Sequence, residues 1–238
     1  RRRYPVVYVT DADYGFPMLR LIGRRMNVEG PRIENFILIG LGYAAGEDGM
    51  TSRRRDYTPT PRGPSGAPPG ARHGESRQYV TYLRDTVLPF VDARWRTDPA
   101  RRVYVGHSYG GLLGAEMLLT EPGLFGSYVL GSPSLWFDKR YLLRELPALL
   151  QKAPPLRARV YLSVGEFEAL RRGEPGYQQQ VDMVADNETL AARLRVRRDP
   201  GLAIRSDVLR DEDHLSVAPQ GFTRGLLHVL PHRPAATP

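Results

Sequence analysis

At 238 residues, 41% hydrophobic and 25% charged, the chain has the length and apolar content of one α/β domain with a sizeable core. Its net charge of +8 is carried almost wholly by arginine, since only Lys139 and Lys152 are lysines; the arginines are scattered among acids with no DNA- or RNA-binding motif, which argues against a nucleic-acid partner. The lack of cysteine excludes disulfides, a thiolate nucleophile and Cys-based metal sites, and no apolar run approaches a membrane span.

Apolar periodicity then predicts alternating strands and helices. Pro5–Thr10 reads as a buried strand, Pro17–Met26 as a short helix opened by proline, and Ile33–Gly40 as a second strand. Residues 41–73 read as one long irregular loop, because the Pro/Gly-rich run Thr58–Gly70 suits neither helix nor central strand. Glu75–Trp95 reads as a helix that Pro89 should kink. Val103–Val105 is a strand, Leu112–Leu119 a helix, Ser127–Leu130 a strand and Tyr141–Leu150 a helix. Arg159–Val164, Gln178–Val196, Leu202–Leu209 and Gln220–Leu230 continue the rhythm, and the tail 231–238 is expected to fray. Six strands alternating with helices predict a single α/β domain over 1–238, a mostly parallel sheet covered on both faces.

One stretch carries chemistry. Gly106-His107-Ser108-Tyr109-Gly110-Gly111 lies between a strand and a helix, the setting of a Gly-x-Ser-x-Gly nucleophile elbow. A serine hydroxyl needs a base. Of the five histidines, His73 is in the Pro/Gly stretch, His107 is inside the elbow pointing away, and His228 and His232 are at the closing helix and tail. Only His214 follows the last strand directly. The order Ser…acid…His belongs to the α/β-hydrolase architecture and puts the acid between them, after a strand. Gly165-Glu166-Phe167-Glu168 offers Glu168 or, as the alternative, Glu166. Asp182 and Asp186 fall inside the next helix. The N–H of Tyr109 is one expected oxyanion donor, and a second should come from the turn after the first strand.

Six stretches in order resemble the putative esterase family, which includes siderophore (enterochelin) esterase-like proteins, S-formylglutathione hydrolases and mycolyltransferases. They are Tyr4–Val9, Arg53-Arg54-Arg55-Asp56-Tyr57-Thr58-Pro59, Leu88–Pro99, Gly106–Gly111, Gly131-Ser132-Pro133-Ser134-Leu135-Trp136 and Asp213-His214. The siderophore-esterase-like subgroup is the nearest likeness. The resemblance implies an α/β-hydrolase fold with the strands expected before Tyr4 missing. It also implies ester hydrolysis through an acyl-serine, with no metal or cofactor. It places the second oxyanion donor at Asp13, with Ala12 as alternative, and singles out Arg55 as a substrate contact. Some members are described as using a Ser-His dyad, so the acid stays open. The arginine loop suits an anionic or polyhydroxyl small-molecule ester, with Tyr57, Trp136 and Phe137 as pocket walls. Acyl transfer from the same serine and a non-catalytic binding protein are the rival readings. Compartment and oligomeric state are left open.

Overall fold

The computed structural model describes residues 2–232. Six parallel strands form one sheet in the order β2-β1-β3-β4-β5-β6, with β1 Tyr4–Val9, β2 Ile37–Gly40, β3 Thr97–His107, β4 Ser127–Gly131, β5 Arg157–Gly165 and β6 Gly201–Leu209. Strand alternation divides the core. Val6, Tyr8, Tyr104, Tyr128, Leu130, Val160 and Leu162 point to one face; Val7, Val9, Val103, Val105, Val129 and Tyr161 point to the other.

The first face is covered by α3 Ser76–Tyr82, α4 Leu88–Arg94, α5 Tyr109–Thr120, α6 Phe137–Lys152 and α7 Met183–Val196. The second is covered by α1 Ala12–Met26 and α8 Val217–Val229 through Leu19, Phe222 and Leu226. In register across neighbouring strands, Tyr8, Tyr104 and Tyr128 close on Phe125 with ring centroids 5.7, 5.5 and 6.0 Å away. This aromatic cluster packs beneath the β3–α5 turn and contributes apolar burial at the centre of the sheet.

Several boundaries differ from the sequence reading. Helix α1 begins at Ala12, so Pro17 lies inside it rather than at its start. Strand β2 begins only at Ile37, whereas β3 runs back to Thr97. Between α3 and α4 the helix widens into a π turn at Leu83–Val87, where Leu88 donates to the carbonyl of Leu83. That wide turn lies just ahead of Pro89, whose ring would crowd a regular helix there. Helix α7 starts at Met183, capped by Asp182 accepting from the N–H of Ala185 at 2.9 Å. Within α6, Asp138, Lys139 and Arg140 are left-handed, so the regular helix starts after them.

The expected irregular loop is the main correction. It contains the helix α2 Gly49–Asp56, capped by the Asp48 carboxylate accepting from the N–H groups of Met50 and Thr51. The Pro/Gly run after it is tied at both ends. Buried Thr58 donates to the Arg54 carbonyl and accepts from the Gly74 N–H, and Thr60 donates to Asp138 at 2.8 Å. At the C-terminus Pro231 bridges to Ile33 and His232 donates to the Arg32 carbonyl, so the start of the expected frayed tail is anchored. The rest of that tail, 233–238, lies outside the described residues.

Candidate active site

Ser108 joins β3 to α5 with φ 59° and ψ −120°, a strained conformation for a residue with a side chain. Its surroundings over-determine it. The Ser108 N–H donates to the Gly131 carbonyl at 2.9 Å, and the Ser108 carbonyl accepts from the Ser134 N–H at 3.1 Å. Tyr104 donates its hydroxyl to the Gly110 carbonyl at 2.7 Å from below. The turn is so tight that a Cβ on Gly106 would come within 2.4 Å of the Gly110 oxygen, and one on Gly110 within 2.3 Å of the Thr10 hydroxyl. Glycine at both positions follows from space alone.

The loop after β6 brings His214 over Ser108. Its Nε2 lies 3.0 Å from Ser108 Oγ and its Nδ1 2.6 Å from Glu168 Oε2. Asp213 caps the turn leading into α8, accepting from the N–H groups of Leu215 and Ser216 at 2.8 Å. Glu168 is fully buried in the short helical turn Glu166–Glu168 after β5. Its second oxygen accepts from Ser132 Oγ at 2.5 Å and from the Gly165 N–H at 2.9 Å. Burial pushes its pKa up, but the bonds and charge of His214 and the donors Ser132 and Gly165 outweigh that, and the net shift is downward. Glu166, the alternative acid, turns away to the Asp211 N–H at 3.2 Å.

Tyr109 is the first residue of α5 and Asp13 the second of α1. Among the described residues neither N–H donates a hydrogen bond. The N–H of Ala12, the alternative, donates to the Leu41 carbonyl at 3.2 Å. The turn that presents Asp13 is built on buried, left-handed Asp11. The Asp11 carboxylate accepts from Tyr43 at 2.7 Å, Tyr14 at 3.2 Å and Arg53 at 3.0 and 3.3 Å. Four donors compensate the burial of that charge. Burial and the Asp11 carboxylate both raise the pKa of Tyr14 and Tyr43, which keeps them protonated as donors.

Arg55 does not reach this region. It is held by Glu47 at 2.6 Å and by Asp56 at 2.7 and 2.9 Å. On α2 it lies two residues, about 200° of helical rotation, from Arg53, and Arg53 faces the site, with its guanidinium 5.3 Å from the Tyr109 ring centre. Tyr57 is not a pocket wall either: it is a core residue, 1% exposed, edge-on to Tyr79. Half-buried Trp136 does flank Tyr109, at 6.1 Å between ring centres, and Phe137 is buried behind it. His73 is buried against Phe137 rather than loose in its loop. The residues that the sequence reading did not select are Asp11, Arg53, Ser132 and Ser134. Ser132 and Ser134 lie in the Ser-Pro-Ser run, and Ser134 Oγ is 3.3 Å from Ser108 Oγ.

A cavity of about 860 Å³ lies elsewhere, between the free edge of β2 and α3–α4, lined by Leu41, Tyr43, Tyr79, Phe90 and Trp95. Among the described residues no His/Asp/Glu cluster could hold a metal ion, and no helix is long and apolar enough to cross a membrane.

The family described as putative esterase matches residues 1–201. The chain belongs to that family. It is 29% identical to the ferri-bacillibactin esterase BesA of Bacillus subtilis over 95% of this chain and 79% of that protein. It is 28% identical to the siderophore enterobactin esterase of Emericella nidulans over 93% of this chain and 80% of that protein. Among solved structures, an IroE-like serine hydrolase from Shewanella oneidensis superposes with TM-score 0.79 and 27% identity, covering 95% of this chain and 70% of that one. The fold is that of the α/β-hydrolases, and the protein is a carboxylic ester hydrolase.

Proposed function

We propose that the chain cleaves small-molecule carboxylic esters of the siderophore class through an acyl-Ser108 intermediate. The observation that carries this reading is the continuous relay Ser108 Oγ, His214 Nε2, His214 Nδ1, Glu168 at 3.0 and 2.6 Å on a strained elbow. His214 takes the Ser108 proton as Oγ attacks the carbonyl carbon, and returns it to the departing alcohol oxygen. Water then repeats the sequence on the acyl-enzyme and releases the acid. The N–H groups of Tyr109 and Asp13 receive the oxyanion in both halves. Glu168 keeps the proton on Nδ1 of His214, so that Nε2 is free to act as base, and offsets the positive charge that the ring acquires. The substrate class comes from the relatives, whose names record siderophore ester hydrolysis.

The test combines labelling with turnover. A fluorophosphonate probe is expected to label the protein once, at Ser108. Ser108→Ala should keep the fold and lose turnover of a siderophore lactone by a factor on the order of 10³ or more. Label on another residue, or turnover retained in the variant, defeats the mechanism. Probe label on Ser108 in a protein that, before labelling, hydrolyses short p-nitrophenyl esters but no siderophore ester defeats only the substrate class.

A further inference from the structure

His107 immediately precedes Ser108 on β3 and takes no part in the proton relay, yet it is packed against the base. Its ring lies 4.7 Å from the His214 ring, centre to centre, tilted by 39°. Its Nε2 lies 2.9 Å from the main-chain carbonyl of His214. A carbonyl only accepts, so Nε2 must carry the ring proton. Nδ1 is therefore left with a lone pair, buried and without a partner among the described residues, against Gly131. A side chain on Gly131 would bring its Cβ within 3.0 Å of that nitrogen, so the strand leaves just enough room for the ring.

We infer that His107 is a positioning residue: an imidazole that pins the main chain and ring plane of His214 to the strand carrying the nucleophile. The inference rests on the acyl-serine reading above. The base sits in a loop with left-handed Asp211 before it and Leu215, 85% exposed, after it. Its flanks are tied by Asp213 to the N–H groups of Leu215 and Ser216 and by the Glu212 carbonyl to the Phe167 N–H, which leaves the His214 carbonyl to be held from the sheet. The bond from His107 ties its carbonyl to the centre of the sheet.

The neutrality of His107 matters as much as the bond. During attack His214 becomes an imidazolium, and a second cation in ring contact would oppose it. The groups whose charge reaches His107 are His214, Glu168 and Arg53. Burial first, then the charge on His214, pushes its pKa down to about 3. The ring therefore presents an aromatic face and one N–H to the base throughout the range in which His214 works.

Two variants and one spectrum test this. His107→Leu fills the space without a donor; His107→Gln puts an amide N–H near the position of Nε2. The Leu variant should lose about tenfold in kcat, the effect of one net hydrogen bond, with KM little changed and Ser108 labelling slowed in parallel. The acid limb of its kcat/KM profile should also move, and Gln should restore most of the rate. In the wild-type protein, imidazole nitrogen NMR should show His107 as the Nε2–H tautomer, staying neutral across the pH range of activity. A Leu variant with wild-type rate and pH profile overturns the inference, as does Gln no better than Leu, or a His107 that gains a proton within that range. The spectrum needs neither variant nor substrate, so it decides on His107 even if Leu fails to fold. Failure of the acyl-serine reading appears separately, as wild-type protein unlabelled at Ser108.

Discussion

Glu168 is a carboxylate without solvent access, held by His214, Ser132 and the Gly165 N–H. A buried charge is tolerated only when its lone pairs are used, and here one oxygen serves the base while the other is anchored. Removing the charge while keeping the shape therefore isolates its role. Glu168→Gln should fold and should lose on the order of 10³–10⁴ in kcat, because an amide lets the imidazole settle in the wrong tautomer. Glu166→Gln should stay near wild type, since Glu166 serves only the Asp211 N–H and, at 3.5 Å, Tyr177. Steady-state kinetics on one ester settles the comparison; a larger loss at Glu166, or no loss at Glu168, sinks the assignment of the acid. Ser132 belongs to the same unit. Its φ of 40° turns the hydroxyl toward Glu168, a contact that no spacing rule in the sequence announces.

Helix α2 decides which arginine matters. Arg53 lies on the side facing Asp11 and Tyr109, Arg55 on the side facing Glu47 and Asp56. Arg53→Ala leaves the wholly buried Asp11 without its cation, so it should cost about 3–5 kcal/mol of stability. It should also slow turnover, because Asp11 shapes the turn that presents the Asp13 N–H. Arg55→Ala breaks pairs whose acids are partly exposed and should cost about 1 kcal/mol or less, with activity on charged and neutral esters changed alike. Urea melts and kinetics of the two variants check this; an Arg55 variant that selectively loses anionic esters restores the sequence-based choice. The contrast shows where the sequence is legible. The strands were readable because runs such as Val6-Val7-Tyr8-Val9 are buried on both faces, and Ser108 and His214 because each directly follows a strand. Helix α2 was not, because its mean composition is polar and its one signal, the Asp48 cap, sits inside a Gly- and Pro-rich stretch. With the helix unseen, its phase was unknown, and a motif position stood in for a direction in space. The left-handed residues at Asp138–Arg140 were equally hidden, since no glycine marks them.

Taken over the whole molecule, buried titratable groups pull stability in opposite directions with pH. His107 is held neutral, its pKa pushed from 6.5 down to about 3 by burial and by His214. The unfolded chain then binds more protons than the folded one between those values, so this contribution is full above pH 6.5 and is lost as pH falls toward 3. Glu168, whose folded pKa lies below 4.5 although burial alone would raise it, adds a second loss on the acid side, below pH 4.5. Glu116 acts the other way. It is 6% exposed on α5, and burial raises its pKa above 4.5 despite the Ser76 hydroxyl and Arg77. The folded state holds that proton longer, so its contribution falls as pH rises from 4.5 toward the folded value. Above pH 4.5 the slope of Glu116 therefore opposes that of His107, to which His73 and His228, their pKa values also lowered by burial, add. Single substitutions should separate them. In urea unfolding across this range, Glu116→Gln should make stability fall more steeply toward acid, because the opposing Glu116 slope is removed. His107→Leu should make the fall toward acid shallower, because its share of the acid-side loss is removed. Only slopes are compared, so any constant cost of either substitution drops out. Parallel curves for all three proteins would mean that neither group changes its proton affinity on folding.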